Sequence, residues 1–272
     1  MAIARYVFGI VVCIPIFLWA LYQLVVIVKR SNKKIPTSQQ FVFHALVLVF
    51  LLFRIIWLGL KEDEEVHGKH VVGLFIINRF AIVSFFTSFT LLIFYWAEIF
   101  HGWVKSNEQR SLSTLKKPFW LMNGFLYLFS LICIIVYAAE DPEDRETNDF
   151  YTANILIIAL LSALVSIGFL FYGFSLIKRF KGSFSVTKKK NSLIKIVAIT
   201  IIFFICFMLR FIFFLYRPAT GKKMNYNVYT FFAYYIPELI PTCIQLYTMK
   251  PKKTIKIDEE EQSQSEEEFD VD

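Results

Sequence analysis

The chain has 272 residues, 57% of them hydrophobic, and a formal net charge of +7. Its polar segments hold roughly 10 to 17 residues each between apolar runs, too short to fold as water-soluble domains. The basic residues sit in small groups at the ends of those runs. That placement excludes a nucleic-acid surface and points to anionic lipid headgroups.

Seven apolar stretches follow in chain order: Tyr6–Val28, Phe41–Leu60, Ile76–Phe100, Pro118–Ala138, Tyr151–Ile177, Leu193–Tyr216 and Val228–Met249. A run of about 18 or more apolar residues satisfies its backbone hydrogen bonds in lipid only as a spanning helix. The sequence therefore predicts an all-α, polytopic membrane protein. Residues 1–249 form a seven-transmembrane-helix bundle, and residues 250–272 form a disordered cytosolic tail.

Charge orients the bundle. The first, third and fifth loops and the start of the tail carry eighteen basic residues, among them Lys178, Arg179, Lys181, Lys188, Lys189, Lys190, Lys250, Lys252, Lys253 and Lys256. The other side carries seven: Arg5, Lys61, Lys69, Arg145, Arg217, Lys222 and Lys223. The positive-inside rule then predicts a lumenal or external N-terminus and a cytosolic C-terminus. The first apolar run is longer than a signal-peptide core and is not followed by a small-residue cleavage site, so it is expected to remain as the first helix.

The second loop holds Glu62, Asp63, Glu64, Glu65, His67 and His70, and the fourth is also acidic. Its two histidines lack a second rigid ligand pair, so the expectation is a solvated loop and no metal or cofactor. All four cysteines (Cys13, Cys133, Cys206, Cys243) fall within spans, and there is no Asn-x-Ser/Thr acceptor. Both features are compatible with an intracellular membrane.

Ionisable groups within the spans carry the sharpest signal, because charge at mid-bilayer is costly and such residues face the bundle. Arg54, Arg79 and Arg210 fall in the lumenal half, and Glu238 lies near the middle of the seventh span between Pro237 and Pro241. These four read either as a pocket for an anionic ligand or as Arg–Glu238 pairing, with the remaining arginines snorkelling to the acidic loops. The two prolines predict a kink. His44, Glu98, His101 and Lys195 form a second polar group toward the cytosolic ends. The many phenylalanines read as packing or lipid-facing residues. In the tail, a basic half precedes an acidic one, where Ser263 and Ser265 stand before acids in the manner of acidophilic kinase sites.

The features of rhodopsin-like receptors are missing. The third span ends without an Asp-Arg-Tyr element, the seventh lacks Asn-Pro-x-x-Tyr, and no mid-span lysine is available for retinal. What the chain does resemble is the plant tobamovirus multiplication protein family. The resemblance rests on Phe85-Phe-Thr-Ser-Phe-Thr-Leu-Leu-Ile-Phe-Tyr-Trp-Ala-Glu-Ile-Phe-His101, with Asn78-Arg-Phe before it. Gln23-Leu24, Thr37-Ser-Gln, Phe43-His44, Arg54, Arg210, Tyr234-Tyr-Ile-Pro-Glu-Leu-Ile-Pro241 and Lys250-Pro-Lys-Lys match in order and spacing. Animal lysosomal orphan seven-helix proteins look like distant relatives.

The resemblance implies a vacuolar, lysosomal or late-endosomal membrane. It also implies recruitment of a small Arf-like GTPase, and plant members are similar in being used by a virus to anchor its replication complex. The short, lysine-rich fifth loop and the acidic tail depart from the family pattern on the surfaces where partners would dock. The leading expectation is a non-enzymatic scaffold that binds its partner through Lys178–Lys190 and Lys250–Lys256. The alternatives are a ligand-responsive receptor built on Arg54, Arg79, Arg210 and Glu238, or a proton- or cation-coupled transporter using Glu238.

Overall fold

The computed structural model describes residues 2–30, 39–67, 72–104, 113–140, 149–182, 188–222 and 224–250. Among them every regular element is helical: α1 (Ala2–Arg30), α2 (Gln39–His67), α3 (Val72–Val104), α4 (Ser113–Ala139), α5 (Asp149–Gly182) and α6 (Lys188–Thr220). These six are long and apolar enough to cross a bilayer. They extend past the predicted spans by up to about two turns, because a helix once nucleated propagates through polar flanks. Gly221, at φ 66°, closes α6 by donating its N–H to the Arg217 carbonyl at 2.9 Å.

The seventh apolar stretch is helical over 226–248 but changes pitch. It runs as α7 (Tyr226–Thr230), a π-helical turn (Phe231–Tyr235) and α8 (Ile236–Thr248). The Ile236 N–H bonds the Phe231 carbonyl five residues back. Pro237 follows directly, in the first turn of α8. The irregularity therefore sits one turn upstream of the prolines, with Ala233, Tyr234 and Tyr235 all buried. Such π-turns inside α-helices often mark functional sites.

α3 is the central helix. All of residues 81–90 are buried, and α3 packs against α2, α4 and α5. The circuit closes through α5–α6, α6–α8 and α1–α8 contacts. Close approaches need glycine. Gly168 of α5 lies against Ile93 of α3, Gly173 of α5 against Thr200 of α6, and Gly9 of α1 against Tyr235 and Leu58.

Phenylalanines form the middle of this core rather than only its lipid face. Phe89 packs against Phe85 (4.8 Å), Phe207 (5.2 Å), Phe203 (5.6 Å) and Phe169 (6.2 Å), joining α3, α5 and α6. Truncating it should cost less than in a water-soluble core. The unfolded reference within lipid is itself apolar, so only dispersion and the cavity count. Phe89→Ala is expected to lower stability by about 2 kcal/mol, against ~3–5 for a soluble core. Reversible unfolding in mixed micelles would measure it, and a loss under about 0.5 kcal/mol would mean that the ring is not packed as described.

A charged knot in the bundle core and a polar tie at the basic end

Arg54 on α2, Arg210 on α6 and Glu238 on α8 meet in the core, each almost fully buried. Arg54 Nη2 and Arg210 Nη1 both donate to Glu238 Oε1 at 2.6 Å. Arg54 Nη1 also donates to Asn78 Oδ1 of α3 at 2.8 Å, so four helices share one ion-pair knot. One turn on, Thr242 Oγ1 donates to the Glu238 backbone carbonyl at 2.6 Å.

One carboxylate does not balance two guanidinium groups. Aromatic faces supply the rest. The Arg210 guanidinium centre stands 5.1 Å from Phe85 and Phe214, 5.4 Å from Phe86 and 5.6 Å from Tyr234. That of Arg54 stands 4.9 Å from Tyr234 and 5.1 Å from Trp57. Each ring turns its negative face to the cation, an attraction that strengthens away from water. Tyr234, which the π-turn buries, serves both.

Arg79 lies outside the knot. It is 5% exposed, with its guanidinium 4.6 Å from the Phe75 ring and no acceptor bonded to it among the described residues. The side chain is enclosed by the bundle, and the acidic loop side chains at 62–65 and 141–149 lie outside the described ones.

The polar group at the other end does not assemble as one cluster. His44 is buried, with Nε2 at 2.8 Å from Gln23 Oε1 of α1 and Nδ1 at 2.7 Å from the Gln40 carbonyl. Glu98 of α3 instead accepts from Gln39 Nε2 of α2 at 2.6 Å. Gln40 Nε2 donates to the Met249 carbonyl at 3.4 Å, so the start of α2 ties α1, α3 and the end of α8 together. Lys195 is exposed and takes no part, and the His101 side chain lies outside the described ones. Gln40 escaped notice in the sequence, and Gln39 entered only through the Thr37-Ser-Gln match, because glutamines at a span border look like ordinary loop residues.

Of the basic surface, Lys178 and Lys250 are exposed, the latter with Nζ 5.3 Å from the Tyr247 ring. The side chains of Arg179, Lys181, Lys188, Lys189 and Lys190, together with Lys252, Lys253, Lys256, Ser263 and Ser265, lie outside the described part, as do those of His67 and His70. Among the described residues no three His, Cys, Asp or Glu side chains are grouped to hold a metal ion.

Comparison with known proteins places this arrangement in a family. Tobamovirus multiplication protein 1 of Nicotiana tabacum is 31% identical over 240 residues, which is 85% of this chain and 78% of that protein. Tobamovirus multiplication protein 1 of Arabidopsis thaliana is 27% identical over 241 residues, 85% of this chain and 77% of that protein. Tobamovirus multiplication protein 3 of Nicotiana tabacum is 24% identical over 248 residues, 87% and 79% of the two chains. No solved structure matches. A family model described as the THH1/TOM1/TOM3 domain matches residues 3–262, spanning the six long helices, the π-turned segment and the charged knot within them. The chain belongs to the THH1/TOM1/TOM3 family.

Proposed function

We propose that this protein is a seven-span scaffold of an endolysosomal or vacuolar membrane, with its N-terminus lumenal and its tail cytosolic. In this reading it recruits a small Arf-like GTPase, or another cytosolic partner of similar charge preference, through Lys178–Lys190 and Lys250–Lys256. The observation that carries the proposal is the charge asymmetry: eighteen basic residues at one end of the bundle against seven at the other. Lys29, Arg30, Lys117, Lys178 and Lys250, the members of that end whose side chains are described, are exposed, as is Lys195 on its flank. A surface of this kind attracts acidic partners and anionic lipid together. The relatives are named for tobamovirus multiplication, and the part of that role carried over here is only the holding of a partner at a membrane.

Two guanidinium groups donate to the same Glu238 oxygen, which supports reading the acid as a structural counter-ion ahead of a carrier in a transport cycle.

Proximity labelling from the C-terminal tail, scored with organelle markers in the same cells, tests the proposal. Enrichment of an Arf-like GTPase on a vacuolar or lysosomal membrane is expected. The triple substitution Lys188→Gln, Lys189→Gln and Lys190→Gln should lower it at least fivefold, with the variant still eluting as a monodisperse species in detergent. Equal enrichment with and without those lysines would remove the assignment.

A further inference from the structure

Arg79 and Asn154 are two orphaned polar side chains at one level of the bundle. Arg79 has no carboxylate or hydrogen-bond partner among the described residues, and its Nε is buried without one. A guanidinium does not shed its proton in a protein, so the charge must be met by something. Glu238, the one buried acid among the described residues, already serves Arg54 and Arg210. Asn154 of α5 is 1% exposed, and both its Oδ1 and its Nδ2 lack a partner. A buried amide with neither group satisfied is rare in native proteins and calls for an unseen partner.

Register puts the two together. Ile93 of α3 abuts Gly168 of α5, an offset of 75 residues, with Phe89 and Trp96 about a turn to either side both packing on Phe169, and as alternate spans the two helices run in the same direction. The same offset carried back along them sets Asn154 level with Arg79. On α5, Tyr151 lies one turn from Asn154, and it sits within electrostatic reach of Arg79 together with Tyr229, Tyr234 and Cys133. On this register a guanidinium, an amide N–H₂ and phenolic hydroxyls share one level of α3, α5 and the segment from Tyr226 to Tyr235.

We propose that Arg79 and Asn154, flanked by Tyr229 and Tyr234, form a buried site for one small anionic group, supplied either as a free monovalent anion or as the headgroup of an anionic lipid. The guanidinium provides the charge and two donors, and the amide Nδ2 a third. The amide Oδ1 is met by a water or hydroxyl that enters with the anion. Asn78, next to Arg79 in the chain, bonds Arg54, and Tyr234 faces both Arg54 and Arg210, so the site adjoins the knot. Among the described residues three buried arginines stand against one buried acid, which keeps the local potential positive.

The site does not depend on which organelle holds the protein or on any cytosolic partner, so it is tested on the purified full chain. In an uncharged detergent at constant ionic strength, the melting temperature is measured in sodium chloride against sodium gluconate. A second arm compares nanodiscs of phosphatidylcholine alone with discs containing phosphatidic acid. A saturable rise in one arm supports the site and names the source. Arg79→Gln should abolish the rise. Asn154→Leu should move its midpoint at least tenfold higher in anion, and Arg79→Lys should retain a weakened response. If Arg79→Gln does not fold, the midpoint of Asn154→Leu decides. No anion-dependent shift of the parent in either arm, or the same shift with Asn154→Leu, overturns the proposal.

Discussion

Glu238→Ala is expected to cost about 3–5 kcal/mol of stability, the largest loss from any single truncation in this bundle. The side chain is small, so lost packing is not the reason. Its removal leaves Arg54 and Arg210 facing each other around a vacated carboxylate, each almost fully buried and neither able to discharge. Aromatic faces soften that repulsion without neutralising it. Glu238→Gln keeps the shape and removes only the charge, so it should fall nearly as far as the alanine variant. Replacing the whole knot is a different experiment. In Arg54→Met, Arg210→Met, Glu238→Met no charge of the knot remains, and unpaired buried ions cost more than the apolar groups that replace them. The triple variant should melt above Glu238→Ala, short of the parent because Asn78 Oδ1 loses the donor it has in Arg54. Melting curves of the four proteins in one detergent decide the matter. A glutamine variant as stable as the parent would show that the carboxylate charge does not hold the knot.

How much of this was legible beforehand depends on what kind of signal each feature leaves. The long apolar runs are set by the thickness of the bilayer, and they read directly as helices. Rotation of those helices left almost no trace. In lipid the outward face is as apolar as the inward one, so Leu121, Leu164 and Ile205 on the outside look the same in sequence as Leu58 or Val165 inside. Polar residues are the exception, because lipid does not tolerate them. Arg54, Arg210 and Glu238 announced a buried site, although their pairing needed the geometry. Asn154 was missed because a single asparagine near a span end reads as a border residue. The π-turn has no signature of its own in the sequence. The two prolines flag a helix short of donors, and the pitch changes in the turn before them, at Phe231–Tyr235.

The α5–α6 seam gives the sharpest test of backbone proximity. A Cβ built on Gly173 would overlap Thr200 Oγ1 and Cγ2 and come within 2.9 Å of its Cβ, which is too rigid to yield. Thr200 is itself pinned, with Oγ1 donating to the Ile196 carbonyl at 2.8 Å. Gly173→Thr therefore forces the two helices apart, and overpacking of this size is expected to cost about 3 kcal/mol. Thr200→Gly opens a void and adds a helical glycine, a milder loss of about 1 kcal/mol. The exchange of both, Gly173→Thr with Thr200→Gly, puts the same atoms back into the same space from the opposite helix. It leaves the number of helical glycines unchanged, so the propensity terms cancel. The double variant should recover most of the parent stability, a coupling far from additivity that only direct contact between the two positions produces. Unfolding of the four proteins in mixed micelles measures the cycle, and strictly additive losses would mean that α5 and α6 do not meet at this pair.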